Sequence, residues 1–227
     1  MTRLYREVTA RGIPVAKVCE VGVHWPDTAN VIDFVEAGTA ALLVEPEPRF
    51  ARAIEERFGG YPGVELLRAA IYGHNGRLRL SSAGASTFVA DLPTSPALTN
   101  DGYRRDAATE IEVPCRVFGE VDPGDIDVLA VDTEGSEWYV LQSMRSRPAV
   151  ISLETHGRYY VNPFMAEMSA WLTANGYAPW YKDKSDTVYY RAGALALRPA
   201  ERLRVLGMRA YLRLRRAKRH LPPLSPT

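Results

Sequence analysis

Residues 128–138 run Val-Leu-Ala-Val-Asp-Thr-Glu-Gly-Ser-Glu-Trp, an apolar strand that ends in Asp132 and is followed by Glu134 and Glu137 before a helix. Packing does not explain three carboxylates at one strand end, because ionised carboxylates resist burial without partners. In open α/β sheets, ligands bind in the crevice beyond the carboxyl ends of the strands. The run therefore marks an active-site edge and implies a sheet of parallel strands behind it.

The flanking sequence supplies that sheet. Ala16–Val23 and Ala40–Glu45 are apolar strands, and Val64–Ile71 is a third. Between the first two, Asp27 or Thr28 is expected to cap a helix through Val31, Phe34 and Val35. Between the next two, Pro48 opens a helix whose Phe50, Ile54 and Phe58 share one face, and Gly59-Gly60 closes it. This β-α-β-α-β rhythm predicts helices on the faces of a parallel sheet. Gly76–Ser82 alternates as a strand after an Asn75-Gly76 turn, and 82–102 has no period and is expected to be a long loop or lid. Ile111–Phe118 is a strand in which Pro114 demands an edge or a bulge. Ile126–Val131 leads into a Ser136–Met144 helix with Trp138, Leu141 and Met144 inward. Ala149–Leu153 ends in Glu154, and a Met165–Asn175 helix is closed by Gly176. Tyr177–Tyr181 and Thr187–Arg191 close the sheet as an antiparallel pair.

The chain has 227 residues, 46% hydrophobic and 24% charged, enough for one sizeable core. A net charge of +1 gives no global field for nucleic acid. Charge is uneven, however: residues 198–227 hold nine Lys/Arg and a single acid, Glu201, leaving 19 basic and 26 acidic residues before them, a net of −7. Leu203, Leu206, Ala210, Leu214, Ala217 and Leu221 follow helical spacing in that tail. Such a basic amphipathic helix lies on anionic lipid, docks on an acidic partner, or packs on the acidic body. The narrow stripe and its alanines favour packing, and the terminal Pro-Pro-Leu-Ser-Pro-Thr is expected to be disordered. The division is thus a domain over 1–197 and a helix and tail over 198–227. Cys19 and Cys115 lie in apolar strands and are expected to be reduced core thiols. The amino terminus lacks a secretory h-region and no run reaches membrane-spanning length, which points to the cytoplasm. Nothing in the sequence fixes the oligomeric state.

The first strand turn, Glu20-Val-Gly22-Val-His24-Trp-Pro26, and the tip of the second strand, Val44-Glu45-Pro46, form a pair. A glycine turn lets backbone approach a ligand, and an acid at the tip of strand two is where a ribose diol is held. With DIDVLAVDTEGSEWYVL at 125–141 they make a longer pattern. It includes VEPEPRF at 44–50, AAIYGHNGRLRL at 69–80, GAST at 84–87, IEVPCRVF at 111–118 and AVISLET at 149–155. In order and spacing this pattern resembles the FkbM family of S-adenosylmethionine-dependent methyltransferases, over roughly residues 15–192. The resemblance implies an α/β class I methyltransferase (Rossmann-like) fold, a mostly parallel seven-stranded sheet with a C-terminal antiparallel hairpin. It also implies O-methylation of a hydroxyl on a saccharide, glycolipid or glycosylated natural product.

Carried over by position, the resemblance makes Glu20 and Gly22 part of the turn beside the methionine moiety of S-adenosylmethionine. It makes Glu45 the ribose ligand and sets Arg68 and Ala69 near the adenine. A further glycine usual in the family is replaced by Pro26, which removes a donor and fixes φ; His24 before it is a substrate contact or part of a displaced cofactor loop. Asp132 and Glu154 end adjacent strands, so they act as general base or hold a divalent cation such as Mg²⁺. Glu134 belongs to the same catalytic edge, and His156 is the other base candidate because its ordinary pKa is near neutral. Glu137 reads as an acid complementing a helix dipole. Two rivals stand beside this assignment. A nicotinamide-dependent oxidoreductase is disfavoured by the missing Gly-X-Gly-X-X-Gly and by the acidic cluster. A non-catalytic or cofactor-altered binding protein on the same fold is motivated by Pro26.

Overall fold

The computed structural model describes residues 1–83, 86–100, 102–157 and 159–217. Five strands run parallel in the main sheet. They are β1 (Lys17–Val21), β2 (Ala40–Val44), β3 (Val64–Leu67), β8 (Val128–Val131) and β9 (Val150–Glu154). A closing hairpin, β10 (Tyr177–Asp183) and β11 (Asp186–Arg191), adds two more, with β11 antiparallel beside β9. The order is β10-β11-β9-β8-β1-β2-β3, the mostly parallel seven-stranded sheet of the class I methyltransferase fold. Because β1 lies between β2 and β8, the chain reverses its direction of winding there, and the crevice opens at their carboxyl ends.

Period-two alternation divides the core between the two faces of the sheet. Val18, Val128 and Val150 point to one face and pack on α1 (Arg3–Ala10), α2 (Ile32–Glu36) and α3 (Pro48–Phe58) through Val8, Phe34 and Ile54. Cys19, Leu129 and Ile151 point to the other face, toward α5 (Phe118–Val121), α6 (Trp138–Leu141) and α7 (Met165–Ala174). Both cysteines are buried free thiols.

The expected third strand over 64–71 is two strands. β3 ends at Leu67, and Ala70–Ile71 (β4) turns into a second sheet with β5 (Gly76–Ala83), β6 (Ser86–Val89) and β7 (Glu110–Arg116), in the order β4-β7-β5-β6. The segment expected to be a loop therefore contains β6, paired antiparallel with β5, and a short helix, α4 (Pro96–Asn100). Pro114 is accommodated as anticipated, because β4 reaches only Cys115 and Arg116, so at Pro114 the strand has a neighbour on one flank only. The capping expectation for α2 is corrected: neither Asp27 nor Thr28 caps it. No side chain bonds its first turn, where Val31 is the N-cap; Glu20 of β1 instead fixes the chain entering the helix, its carboxylate accepting from the amides of Asn30 and Val31.

The tail helix α8 spans Pro199–Ala217. Its packing face differs from the expected stripe. Val205 is buried and Met208 half-buried, while Leu203, Leu206 and Leu214 are exposed. Leu221 and the terminal Pro-Pro-Leu-Ser-Pro-Thr lie outside the described residues. None of the described helices is long and apolar enough to cross a membrane.

Candidate active site

Glu20, Glu45, Asp132 and Glu154 all fall at the carboxyl edge of the sheet, where their strands stop. They end together because the ladder is in register: Gly22 donates to Val44 O at 2.9 Å and Asp132 donates to Val21 O at 2.9 Å. A cavity of about 350 Å³ opens above this edge. Glu20, Gly22, His24, Glu45, Ala69, Asp132 and Glu134 all line it.

The first turn is built around Gly22. Its φ is +85°, and a Cβ there would lie 1.9 Å from the carbonyl oxygen of Asp132, so only glycine lets the β1 and β8 turns come together. Glu20 is buried, and its carboxylate takes three hydrogen bonds, from Asn30 N at 2.9 Å, Asn30 Nδ2 at 3.0 Å and Val31 N at 3.1 Å. Burial outweighs these bonds and pushes its pKa up to about 7. Glu45 holds the turn from the neighbouring strand: Oε2 accepts from His24 N at 2.8 Å and Oε1 from Glu47 N at 2.9 Å. Burial again prevails and raises Glu45 to about 7. His24, at φ +58°, packs edge-on against Phe50 with ring centroids 4.0 Å apart. Pro26 is the first residue of a 3₁₀ turn over Pro26–Thr28, a position whose N–H has no role in the turn, so its missing donor leaves no gap.

The second wall is the Asp132–Glu137 loop. Glu134 sits at φ +55°. Glu137 does more than complement a dipole. Fully buried, its carboxylate turns back to accept from Thr133 N at 2.9 Å and Gly135 N at 3.2 Å, and it also accepts from Asn162 Nδ2. Asp132, Glu137 and Glu154 bring carboxylate oxygens within 4.8 Å of one another. Burial, then the neighbouring charges, raises Asp132 well above the ordinary carboxylate range and pushes Glu154 up to about 11. Glu154 Oε2 has no hydrogen-bond partner among the described residues, so at neutral pH this carboxyl is a buried acid beside a more exposed Asp132.

Two expected residues lie elsewhere. Arg68 points outward to pair with Glu55 of α3 and does not line the cavity, although Ala69 and Ala70 do. His156 is buried behind the cavity, its Nδ1 2.9 Å from Thr155 Oγ1 and its carbonyl accepting from Lys182 Nζ. Other lining residues went unnoticed in the sequence. Thr87 and Phe88 of β6 form a wall, and Asp186 enters from the β10–β11 turn opposite Glu154. Asp186 was legible only through strand order: an antiparallel strand beside β9 must begin at the carboxyl edge.

Three comparisons bear on this geometry. A family model described as "Methyltransferase FkbM domain" matches residues 20–179. No curated protein matches the sequence. Among solved structures, the chain is similar to magnesium protoporphyrin IX methyltransferase (ChlM) from Synechocystis PCC 6803 with bound SAM. That likeness has 10% identity over 83% of this chain and 76% of that one, with a TM-score of 0.45. A SAM-dependent methyltransferase from Aquifex aeolicus shows 9% identity over 83% and 89%, with a TM-score of 0.42. The methyltransferase domain of bacterial CtHen1 shows 8% over 82% and 95%, with a TM-score of 0.45. The span from Glu20 to Pro179 covers more than half of the 227 residues and contains every wall of the cavity except the β10–β11 turn, and by that match the chain belongs to the FkbM methyltransferase family.

Proposed function

We propose that the protein transfers the methyl group of S-adenosylmethionine to a hydroxyl oxygen of a saccharide, glycolipid or glycosylated natural product. The observation that carries this reading is the single cavity in which Gly22, His24 and Glu45 face Asp132 and Glu134. The cavity fits the cofactor chemically. Its volume is within the roughly 300–1,000 Å³ usual for small-molecule sites. Buried polar atoms with no hydrogen-bond partner among the described residues, His24 Nε2 and Thr87 Oγ1, belong to residues lining it. Val44, Ile71 and Phe88 supply apolar wall for a purine.

S-adenosylmethionine brings a methyl on a sulfonium, a good leaving group, so the protein's task is alignment and proton removal. Glu45 would hold the ribose hydroxyls while keeping its backbone partners, since each carboxylate oxygen has a second lone pair. Asp132, the more exposed member of the carboxylate cluster and the one that lines the cavity, takes the proton of the acceptor hydroxyl. Glu154 holds its own proton and keeps a second negative charge out of the site. As an alternative, the all-oxygen set Asp132, Glu137 and Glu154 would suit a hard divalent cation such as Mg²⁺ if Glu154 released its proton on binding, and such a cation would lower the pKa of a bound hydroxyl.

Calorimetric titration tests the cofactor assignment. S-adenosylmethionine and S-adenosylhomocysteine should bind and nicotinamide dinucleotides should not. Glu45→Ala should weaken binding on the order of 100-fold, as hydrogen bonds to a charged acceptor disappear. Affinity for a nicotinamide cofactor, or none for either, would replace this reading with one of its rivals. Transfer of a labelled methyl to soluble glycosides then tests the acceptor class.

A further inference from the structure

Helix α8 has two faces of different character. The inner face bears Glu201, Val205 and Met208, which share a groove with Trp180 and Tyr181 of β10 and with Arg3 of α1. Glu201 is fixed there, accepting from Arg11, from Trp180 Nε1 at 3.2 Å and from the Arg198 amide. The outer face carries Leu203, Leu206, Tyr211 and Leu214, each 57–70% exposed, with exposed Ala210 among them. Leu203, Leu206, Ala210 and Leu214 fall at i, i+3, i+7 and i+11, one continuous stripe along the helix. Arg202 and Arg213 border it on one side, and Arg204 stands at the other edge, where it also lines the inner groove; all three are exposed. Residues 202–227 contain no acid at all.

We infer that this outer face lies flat on an anionic lipid surface. An apolar stripe with cations on both borders is what an in-plane interfacial helix needs. The leucines and Tyr211 enter the acyl boundary while the guanidinium groups stay level with the phosphates, which they engage in bidentate fashion. The charge is complementary: the one acid of this region is turned inward, so among the described charged side chains of the helix only guanidinium groups face the lipid. The stripe lies along the convex outside of a single helix, a shape that a plane meets along the whole length of nineteen residues. This inference does not depend on the methyl-transfer reading, and either can fail without the other.

The test is co-sedimentation of the full chain with vesicles of phosphatidylcholine alone or mixed with phosphatidylglycerol. Binding is expected to the mixed vesicles at low salt, to weaken steeply as salt rises, and to be absent on pure phosphatidylcholine. The combined Arg202→Gln, Arg204→Gln and Arg213→Gln variant should lose on the order of 100-fold in affinity. The combined Leu203→Ser, Leu206→Ser and Leu214→Ser variant should lose on the order of 10-fold or more at an unchanged melting temperature. No sedimentation with mixed vesicles overturns the inference, and so does binding that ignores salt or either variant. A wild-type dimer in sedimentation velocity that the leucine variant dissolves, without vesicle binding, would show that a second copy's acidic body covers the face instead.

Discussion

At Glu20 and Glu45, burial and hydrogen bonding pull in opposite directions, and burial prevails, leaving both carboxyls near 7 instead of the usual 4.5. Because the folded pKa is the higher one, each group adds stability that is fully present below about pH 4.5 and lost as pH rises through about 7. Denaturant unfolding should therefore show the ligand-free protein less stable at about pH 8 than at about pH 5. Glu45→Gln should flatten part of that slope while lowering stability overall, because a single amide oxygen replaces two acceptors; an unchanged slope would remove Glu45 as a contributor. Asp132→Asn belongs to the other side of the cavity. It should cost on the order of 10²–10⁴ in kcat while leaving S-adenosylmethionine affinity intact. The same assay with a chelator, then with added Mg²⁺, separates a bare carboxylate base from a cation held by Asp132, Glu137 and Glu154. Near-normal turnover in the Asn variant would sink the assignment of the base.

Between elements, the tightest joint is the one between the β1 and β8 turns. Gly22→Ala forces a Cβ onto a backbone oxygen that cannot swing aside, at a positive φ. A loss of about 2–4 kcal/mol is expected. Gly12→Ala is the matched control: its φ is also positive, at +62°, but nothing lies within 4 Å of the added carbon, so it should cost about 1–2 kcal/mol. Equal losses would show that φ strain alone matters at Gly22. The same joint explains what the sequence disclosed. Apolar runs ending in Glu20-X-Gly22, Glu45 and Asp132 announce themselves because acids at strand ends are chemically out of place, and the parallel sheet follows from them. The second sheet was hidden for a different reason. Ser86–Val89 is too short and too polar at its start to show a period, and it is a strand only because β5 lies beside it. Arg68 follows β3 at the position expected of it, but its partner Glu55 on α3 draws its side chain outward, away from the cavity. Glu137 was undervalued because the amides it serves, Thr133 and Gly135, precede it in the chain.

For the molecule as a whole, α8 joins the body at its first turns, through Glu201 and Val205, and presents its other side outward. Truncation after Arg198 should lower stability by about 1–3 kcal/mol, because Trp180 and Arg11 lose their bonds to Glu201 and the body surface that Val205 covers is exposed. Thermal unfolding checks this, and activity on a small soluble acceptor should persist. A protein that no longer folds would make α8 part of the domain core. The cavity is anchored more firmly than its tail. Three carboxylates that belong to the fold, Glu20, Glu45 and Glu137, hold the amides of Asn30 and Val31, of His24 and Glu47, and of Thr133 and Gly135. Surface loops are ordinarily the first backbone to trade its amide protons with solvent. Here six loop amides point at buried acceptors before any ligand arrives, so the rim of the site would exchange hydrogen for deuterium as slowly as the strands it extends.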